Sequence, residues 1–273
     1  MLLNRSKLFC LLGIVSFPFF IQCDSVSSSE TTADNELSQK DSIEEQHPIA
    51  KPSQSDHQKL PTWPLKPKII EGKRLPYDEG PKDNSFVSFR EDLYDAILEK
   101  DIIFLQSILH DDIKFSFGSE NGKEDFLKTW NLSEAPENSN FWAEMEAILR
   151  LGGAFYDKNN NSFYAPYLFM LEDIDDPFTQ SIVVGEKVRL RDKASSSGKI
   201  ITLLNWDLVE FVHQEEQFEE TIGGEKHFWQ KVKTENDATG FVYGKYVRSP
   251  IDFRAGFTKY DEQWMMSLFI AGD

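Results

Sequence analysis

Apolar side chains are distributed so unevenly along this chain that only residues beyond about 60 carry the material for a packed core. An apolar run, LFCLLGIVSFPFFI (8–21), gives way from Asp24 to about Lys59 to Ser, Glu, Asp and Gln, with Pro48 and Pro52 and almost nothing to bury. Such a tract cannot offset its ordering entropy and is expected to be a disordered tether. A flexible chain of this length spans about 30–35 Å root-mean-square. PTWPLKPKII (61–70) reads as a proline-rich extended stretch laid along the folded body. With 22 Phe and 6 Trp in 273 residues, the remainder supports two domains. The formal charge of −17 argues against nucleic acid or anionic lipid as electrostatic partners, and is read mainly as a solvated surface.

The first 22 residues have the layout of an export signal. Arg5 and Lys7 precede the apolar run, which is too short to cross a hydrocarbon core of about 30 Å, and Pro18 interrupts it near its end. Phe20, Ile21, Gln22 and Cys23 then resemble the end of a bacterial lipoprotein signal, although Gln22 departs from the small residue preferred before the cysteine. The resemblance implies cleavage before Cys23 and acylation of its thiol. Ordinary secretory cleavage near Ser25–Ser28 is the other reading. Cys10 would leave with the signal, so Cys23 is the single cysteine that remains. It has no disulfide partner, and the nearest histidine, His47, stands far along the polar tract. Several acyl chains, each burying methylenes at about 0.8 kcal/mol apiece, make a stable anchor where one chain is marginal. The expected location is the bacterial cell envelope, lipid-anchored at the outer membrane or cell surface. Loss of Arg5 and Lys7 takes two cations from −17 and leaves −19.

FVSFREDLYDAILEKDIIFLQSILHDD (86–112) reads as two helices, the first with Phe89, Leu93 and Ile97 on one face, the second capped by Asp101 and ending by His110. IKFSF (113–117) alternates like a strand, and Asn121 with Glu124 has capping-box spacing before a third helix over 122–130. This order resembles the opening of the ketosteroid-isomerase-like, or SnoaL-like, cone fold, in which two helices and a strand lead to a helix across a curved sheet. The resemblance implies a pocket, used by some members for catalysis and by many for binding. His110, Asp111 and Asp112 are the ionisable candidates there, but HDD is also an ordinary turn sequence. SNFWAEMEAILRLGG (139–153) is a further amphipathic helix with Phe141, Met145, Ile148 and Leu149 on one face, and residues 154–170 form a hairpin around an Asn-rich turn. Asp157, Asn159 and Asn161 copy the start of a calcium loop, yet Ser162 and Leu168 replace its Gly and Glu, so a turn is favoured. LEDIDDP (171–177) reads as a solvated acidic linker.

From residue 182 short strands follow one another closely: KVRLR (187–191), IITLL (200–204), LVEFV (208–212), FWQKV (228–232) and TGFVYGKYV (239–247). Five in this span predict a small barrel. VRLRDKASSSGKIITLL and FWQKVKTENDATGFVYGKYV resemble the bacterial SH3-like domain over about 182–249. That resemblance implies a binding module, often for peptidoglycan or peptides. Trp206, Tyr243 and Tyr246 are the ligand-binding candidates, whereas Trp229 and Phe241 are assigned to the core. His213 and His227 are too far apart to suggest a metal site, and EEQFEETIGGE (215–225) is read as a long acidic loop.

IDFRAGFTKYDEQWMMSLFIAGD (251–273) lies beyond the barrel, with strands from Phe253 to Phe257 and from Trp264 to Ile270 around KYDEQ. It resembles the final strand pair of the cone fold. The expected fold is therefore α+β: a signal (1–22), a disordered tether (23–60), a cone-like domain (61–177 and 251–273), and an SH3-like barrel (178–250) inserted into it. The expected function is that of an envelope lipoprotein serving as a non-catalytic binding module, with membrane, peptidoglycan or envelope proteins as partners. Neither nucleic acid nor a cofactor nor a metal is expected. A small-molecule carrier or enzyme using the cone pocket, and a purely structural envelope protein, are the alternatives.

Overall fold

The protein is seen in a computed structural model whose described residues are 59–272. The expected signal, Cys23 and the tether up to residue 58 lie outside the described residues. Leu60, expected at the end of the tether, packs against the main core. The stretch that follows does run along the body. Trp63 donates its indole N–H to the Arg150 carbonyl (3.0 Å), and Asp78 donates its amide to the Pro64 carbonyl (2.8 Å). Two short strands, β1 (Ile69–Ile70) and β2 (Lys73–Arg74), pair antiparallel beside Gly72 (φ +70°), a hairpin the sequence reading did not anticipate.

Helix α1 (Asn84–Glu99) starts where the Asp83 carboxylate accepts from the amides of Ser85 (2.8 Å) and Phe86 (3.1 Å). It ends at Lys100, whose φ of 55° is left-handed. Phe86, Leu93 and Ile97 are buried. Asp101 caps α2 (Ile102–Ile108) in the same manner, as its sequence position predicts.

Two local expectations fail. The next strand, β3 (Leu109–Lys114), begins four residues early and takes His110–Asp112 into the sheet. It lies parallel to a strand from the C-terminus, with Leu109 opposite Met266 and Lys114 opposite Leu268, so a distant partner overrides the turn chemistry of HDD. The Asn121–Glu124 capping box does not form either. Asn121 Oδ1 accepts from the Phe115 and Ser116 amides instead, and α3 (Lys123–Thr129) starts at Gly122 with no side-chain cap. Helix α4 (Phe141–Leu149) follows and buries its predicted face. Strands β4 (Ala154–Phe155) and β5 (Ser162–Ala165) then form the expected hairpin.

The middle of the chain supplies β6 (Gln180–Val183), β7 (Val188–Arg191), β8 (Ile200–Leu204), β9 (Leu208–Phe211), β10 (Glu219–Ile222), β11 (Glu225–Thr234), β12 (Thr239–Tyr243) and β13 (Val247–Arg248). Two were not expected: β6, and β10, which turns the predicted acidic loop into a hairpin at Gly223–Gly224. The strand order is β13-β6-β9-β11-β12-β7-β8, with β10 on β11. The ladder does not close, which corrects the expectation of a barrel. The end strand β13 is only two residues long, and Ile200, Ile201 and Leu203 of the other end strand face solvent. The sheet nonetheless curls round one core, since Val183, Val188, Leu204, Val209, Val232 and Val242 from strands along its whole path meet in one cluster.

The chain then returns to the first sheet as β14 (Arg254–Tyr260) and β15 (Gln263–Ile270), turning at Asp261 and Glu262, both at positive φ. That sheet has the order β3-β15-β14-β5-β4. One face carries Phe163, Phe257, Met266 and Phe269, and α1–α4 cover it with Phe86, Leu105, Phe126 and Phe141. All eight of these side chains are fully buried. Residues leaving and re-entering this sheet are adjacent: Ser249 Oγ donates to the Pro177 carbonyl (2.9 Å). A third cluster joins Tyr77, Ala154, Tyr167 and Leu168 to Ile182 and Leu208 of the curled sheet, and the described residues form one compact unit.

Because β15 and β14 separate β3 from β5, a chain ending at residue 250 would leave β3 without a strand partner and β5 with an open edge. Such a truncation should lose cooperative thermal unfolding, while the full chain melts in a single transition at the same pH. A second expectation concerns Asp83. Burial pushes its carboxyl up, but hydrogen bonds from Ser85 and Phe86 and the Lys259 ammonium outweigh that and hold it at about 2, against 3.8 for an ordinary Asp. A lowered folded-state value stabilises above the unfolded value, and that contribution disappears as pH falls through the folded one. The wild type should therefore lose stability between about pH 4 and about pH 2 more steeply than Asp83→Asn, measured by urea unfolding across that range. At neutral pH, Asp83→Ala should cost about 1 kcal/mol through the lost cap.

Candidate functional site

The curled sheet carries an open groove of about 350 Å³. Its floor comes from β11 and β12, its cationic side from the residues leading into and along β7, and its end from Ser196 and Ile222. Antiparallel pairing sets Trp229 opposite Tyr243, with ring centroids 5.5 Å apart in an edge-to-face arrangement. The Tyr243 hydroxyl donates toward the carbonyls of Glu225 (2.5 Å) and Glu220 (3.0 Å), which fixes the ring, itself buried at 5 % exposure. The chain then makes a single 3₁₀ turn over Gly244–Tyr246, which leaves Tyr246 exposed and tilted against Tyr243 at 6.4 Å. Two of the three predicted aromatic candidates therefore meet in one place.

Trp206 does not join them. It sits at positive φ (59°) between β8 and β9, is 7 % exposed, and packs edge-on against Trp63 at 5.6 Å. Its carbonyl accepts from the Arg74 amide (2.8 Å), which makes it part of the seam between the N-terminal arm and the curled sheet.

The groove is electropositive on one side. Lys187, Arg189 and Arg191 line it together with Glu186, and the Glu220 carboxylate stands near Arg191. Arg191 is buried and donates Nη1–H to the Gly198 carbonyl (2.5 Å), which fixes the guanidinium under the Ser-rich loop. That loop is clasped from outside. Glu220 of the unexpected strand β10 accepts from the Ser196 amide (2.8 Å), from the Ser196 hydroxyl and from Trp229 Nε1 (2.9 Å). The hydrogen bonds from Ser196 hold its carboxyl below the usual range. The three cations were missed as candidates, whereas Trp229, 2 % exposed, is the core residue the sequence reading assigned. A signal for one of them was present, because alternation in VRLR sends Val188 and Leu190 to the core and Arg189 away from it.

The other sequence candidates take structural roles. The Asp112 amide donates to His110 Nδ1 (3.1 Å), and the His110 ring stacks on Tyr260 at 4.3 Å; Asp111 and Asp112 are exposed. The Asp157 carboxylate is occupied by the amides of Asn159 (2.8 Å) and Asn161 (3.1 Å), as in an Asx turn. In the acidic linker, Asp173 pairs with Arg74 (3.1 Å) and Asp176 accepts from Phe178 (3.0 Å). Among the described residues no group of three or more His, Cys, Asp or Glu is placed to hold a metal ion, and no helix is long and apolar enough to cross a membrane. No protein family, no curated protein and no solved structure matches this chain.

Proposed function

We propose that this protein is an envelope lipoprotein, held at a membrane by acyl chains on Cys23, whose curled β unit binds extended peptides bearing carboxylates, those of the cell wall included. In this reading residues 178–250 are an SH3-like module inserted into a cone-type α+β body (61–177 and 251–273). The adjacency of Pro177 and Ser249 supports an insertion, since a guest unit must leave and rejoin its host at neighbouring points.

The single observation that carries the binding proposal is the groove itself. Tyr246 gives it an exposed ring backed by the buried rings of Tyr243 and Trp229, and Lys187 and Arg189 stand beside it, with Arg191 buried behind them. Guanidinium groups pair with carboxylates in a planar, two-pronged geometry, and an extended backbone lies well on ring faces. On a chain of formal charge −17, a cationic groove also sets where an anionic peptide can approach. The helix-covered side of the first sheet, where a cone fold would enclose ligand, is filled by Phe86, Phe126, Phe141, Phe163, Phe257 and Phe269. Ligand capture through the curled unit is favoured for that reason.

Tyr246→Ala should lower retention on purified cell wall by about tenfold, and Arg189→Glu by a similar factor, with the melting temperature unchanged. Equal retention of all three proteins would count against the groove. The anchor has its own test, metabolic labelling with a fatty-acid analogue. Label should appear on the wild type and vanish in Cys23→Ala; an unlabelled wild type removes the anchor from the proposal.

A further inference from the structure

The curled sheet stops at β8 without the usual protection of an edge. Among the described residues no strand pairs with the outer side of β8, and its five residues, IITLL, include no charge and no proline. Ile200, Ile201 and Leu203 are 50 %, 46 % and 47 % exposed. Other sheet ends of the molecule are guarded: β13 and β4 are two residues long, and β3 carries Asp111, Asp112 and Lys114. An apolar edge left open is a template for a further strand.

The backbone of β8 is set for that. Arg191 pairs with Phe241 of β12, whereas the Asp192 amide donates to the Lys199 carbonyl (3.0 Å), so the β7 backbone turns to its two neighbours alternately. Ile200 stands opposite Arg191 and Leu203 opposite Arg189. By the same alternation these two turn their own amides and carbonyls to the open side. Ile201, at the irregularity between them, lies against β12: a Cβ on Gly240 would stand 2.9 Å from Ile201 Cδ1 and 3.0 Å from Leu190 Cγ. That contact across β7 keeps the edge in place, so an incoming strand need not order it.

We propose that β8 takes up an added strand from a partner protein, an extended segment in which apolar residues alternate with Asp or Glu. Main-chain hydrogen bonds to Ile200 and Leu203 supply affinity, and the side chains supply selection. Charge favours an acidic partner. From Lys187 to Leu204 the β7–β8 hairpin holds five cations, Lys187, Arg189, Arg191, Lys193 and Lys199, and one acid, Asp192, in a chain whose formal charge is −17. Arg191 is engaged by the Gly198 carbonyl and stands near Glu220, but the other four are exposed. Lys199 directly precedes Ile200, and Arg189 stands opposite Leu203, so the edge has a cation toward each end. A second copy of this chain would bring the same five cations to the edge, which opposes self-pairing. The site is separate from the groove, whose lining includes none of residues 200–204.

Fluorescence anisotropy of the full chain with two fluorescein-labelled peptides tests this, one of alternating Val and Glu, the other of alternating Val and Lys. The glutamate peptide should saturate a single site and bind about tenfold tighter than the lysine peptide. It should also slow hydrogen exchange at the amides of β8. Leu203→Glu, which sets a like charge on the exposed edge, should weaken the glutamate peptide by about tenfold with the melting temperature unchanged. Leu203→Pro, which removes an outward amide where an edge tolerates proline, should do the same. Tyr246→Ala in the groove should leave the peptide unaffected. Equal affinity for the two peptides, binding without protection of β8, or binding indifferent to Leu203→Glu would each overturn the proposal. So would sedimentation as a dimer that Leu203→Glu dissolves, because the edge would then belong to a second copy. Cell-wall retention through Tyr246 is read separately and survives any of these results.

Discussion

The fold depends on a hairpin made by the last residues of the chain. Strands β14 and β15 occupy the middle of the first sheet and contribute Ala255, Phe257, Trp264, Met266 and Phe269 to its core. They also hold the first long helix in place: the Lys259 ammonium pairs with the Asp83 cap (3.1 Å) and lies over the Trp264 ring (4.8 Å), whose indole donates to Ser85 Oγ (3.0 Å). The start of α1 is thus fixed by residues about 180 positions later. Parallel pairing of β3 with β15 belongs to the same constraint, since parallel strands need a long crossover and this one carries the whole intervening chain.

That arrangement ties the two sheets together. A chain segment that leaves a sheet before its central strands are in place must come back to the same point, and Ser249 meets Pro177 there. The arm 61–78 adds a strap across the seam. Lys73 bonds to Asp207 (2.6 Å), the Leu208 amide donates to the Gly72 carbonyl (3.0 Å), and Trp63 packs on Trp206. Under the strap, Tyr167 is fully buried and gives its hydroxyl proton to the Arg74 carbonyl, a bond that satisfies a polar group otherwise costly to bury. The groove therefore sits on a body whose two sheets are tied together.

Charge is apportioned by the same folding. The chain is strongly acidic, yet Lys187, Arg189 and Arg191 of one short segment line the groove. Lys114 and Arg254, far apart in the chain, line one depression because β3 and β14 flank β15. The buried Asp78–Arg90 pair, with two contacts of 2.7 Å, is of another kind: it satisfies itself inside the protein and serves to lock the approach to α1.

Local rules decided what depends on neighbouring residues. The caps at Asp101 and the buried faces of α1 and α4 were legible because helical periodicity and side-chain capping act within a few residues, and the alternating strands of 187–247 were legible for the same reason. So were Tyr243 and Tyr246 as aromatics of one short segment, which strand and turn bring together. Whatever required a distant partner was not legible. His110–Asp112 became strand because β15 offered a ladder, Asn121 served β3 instead of α3, and Trp206 was drawn to Trp63 in an arm it does not resemble in sequence. The Gly223–Gly224 turn was a local hairpin signal that the acidic composition around it concealed. Sequence alone determined periodicity, caps and where the apolar material begins; only tertiary pairing decided which strands are central, whether the curled sheet closes, and which cations share a cavity, because those outcomes are set by contacts between residues far apart along the chain.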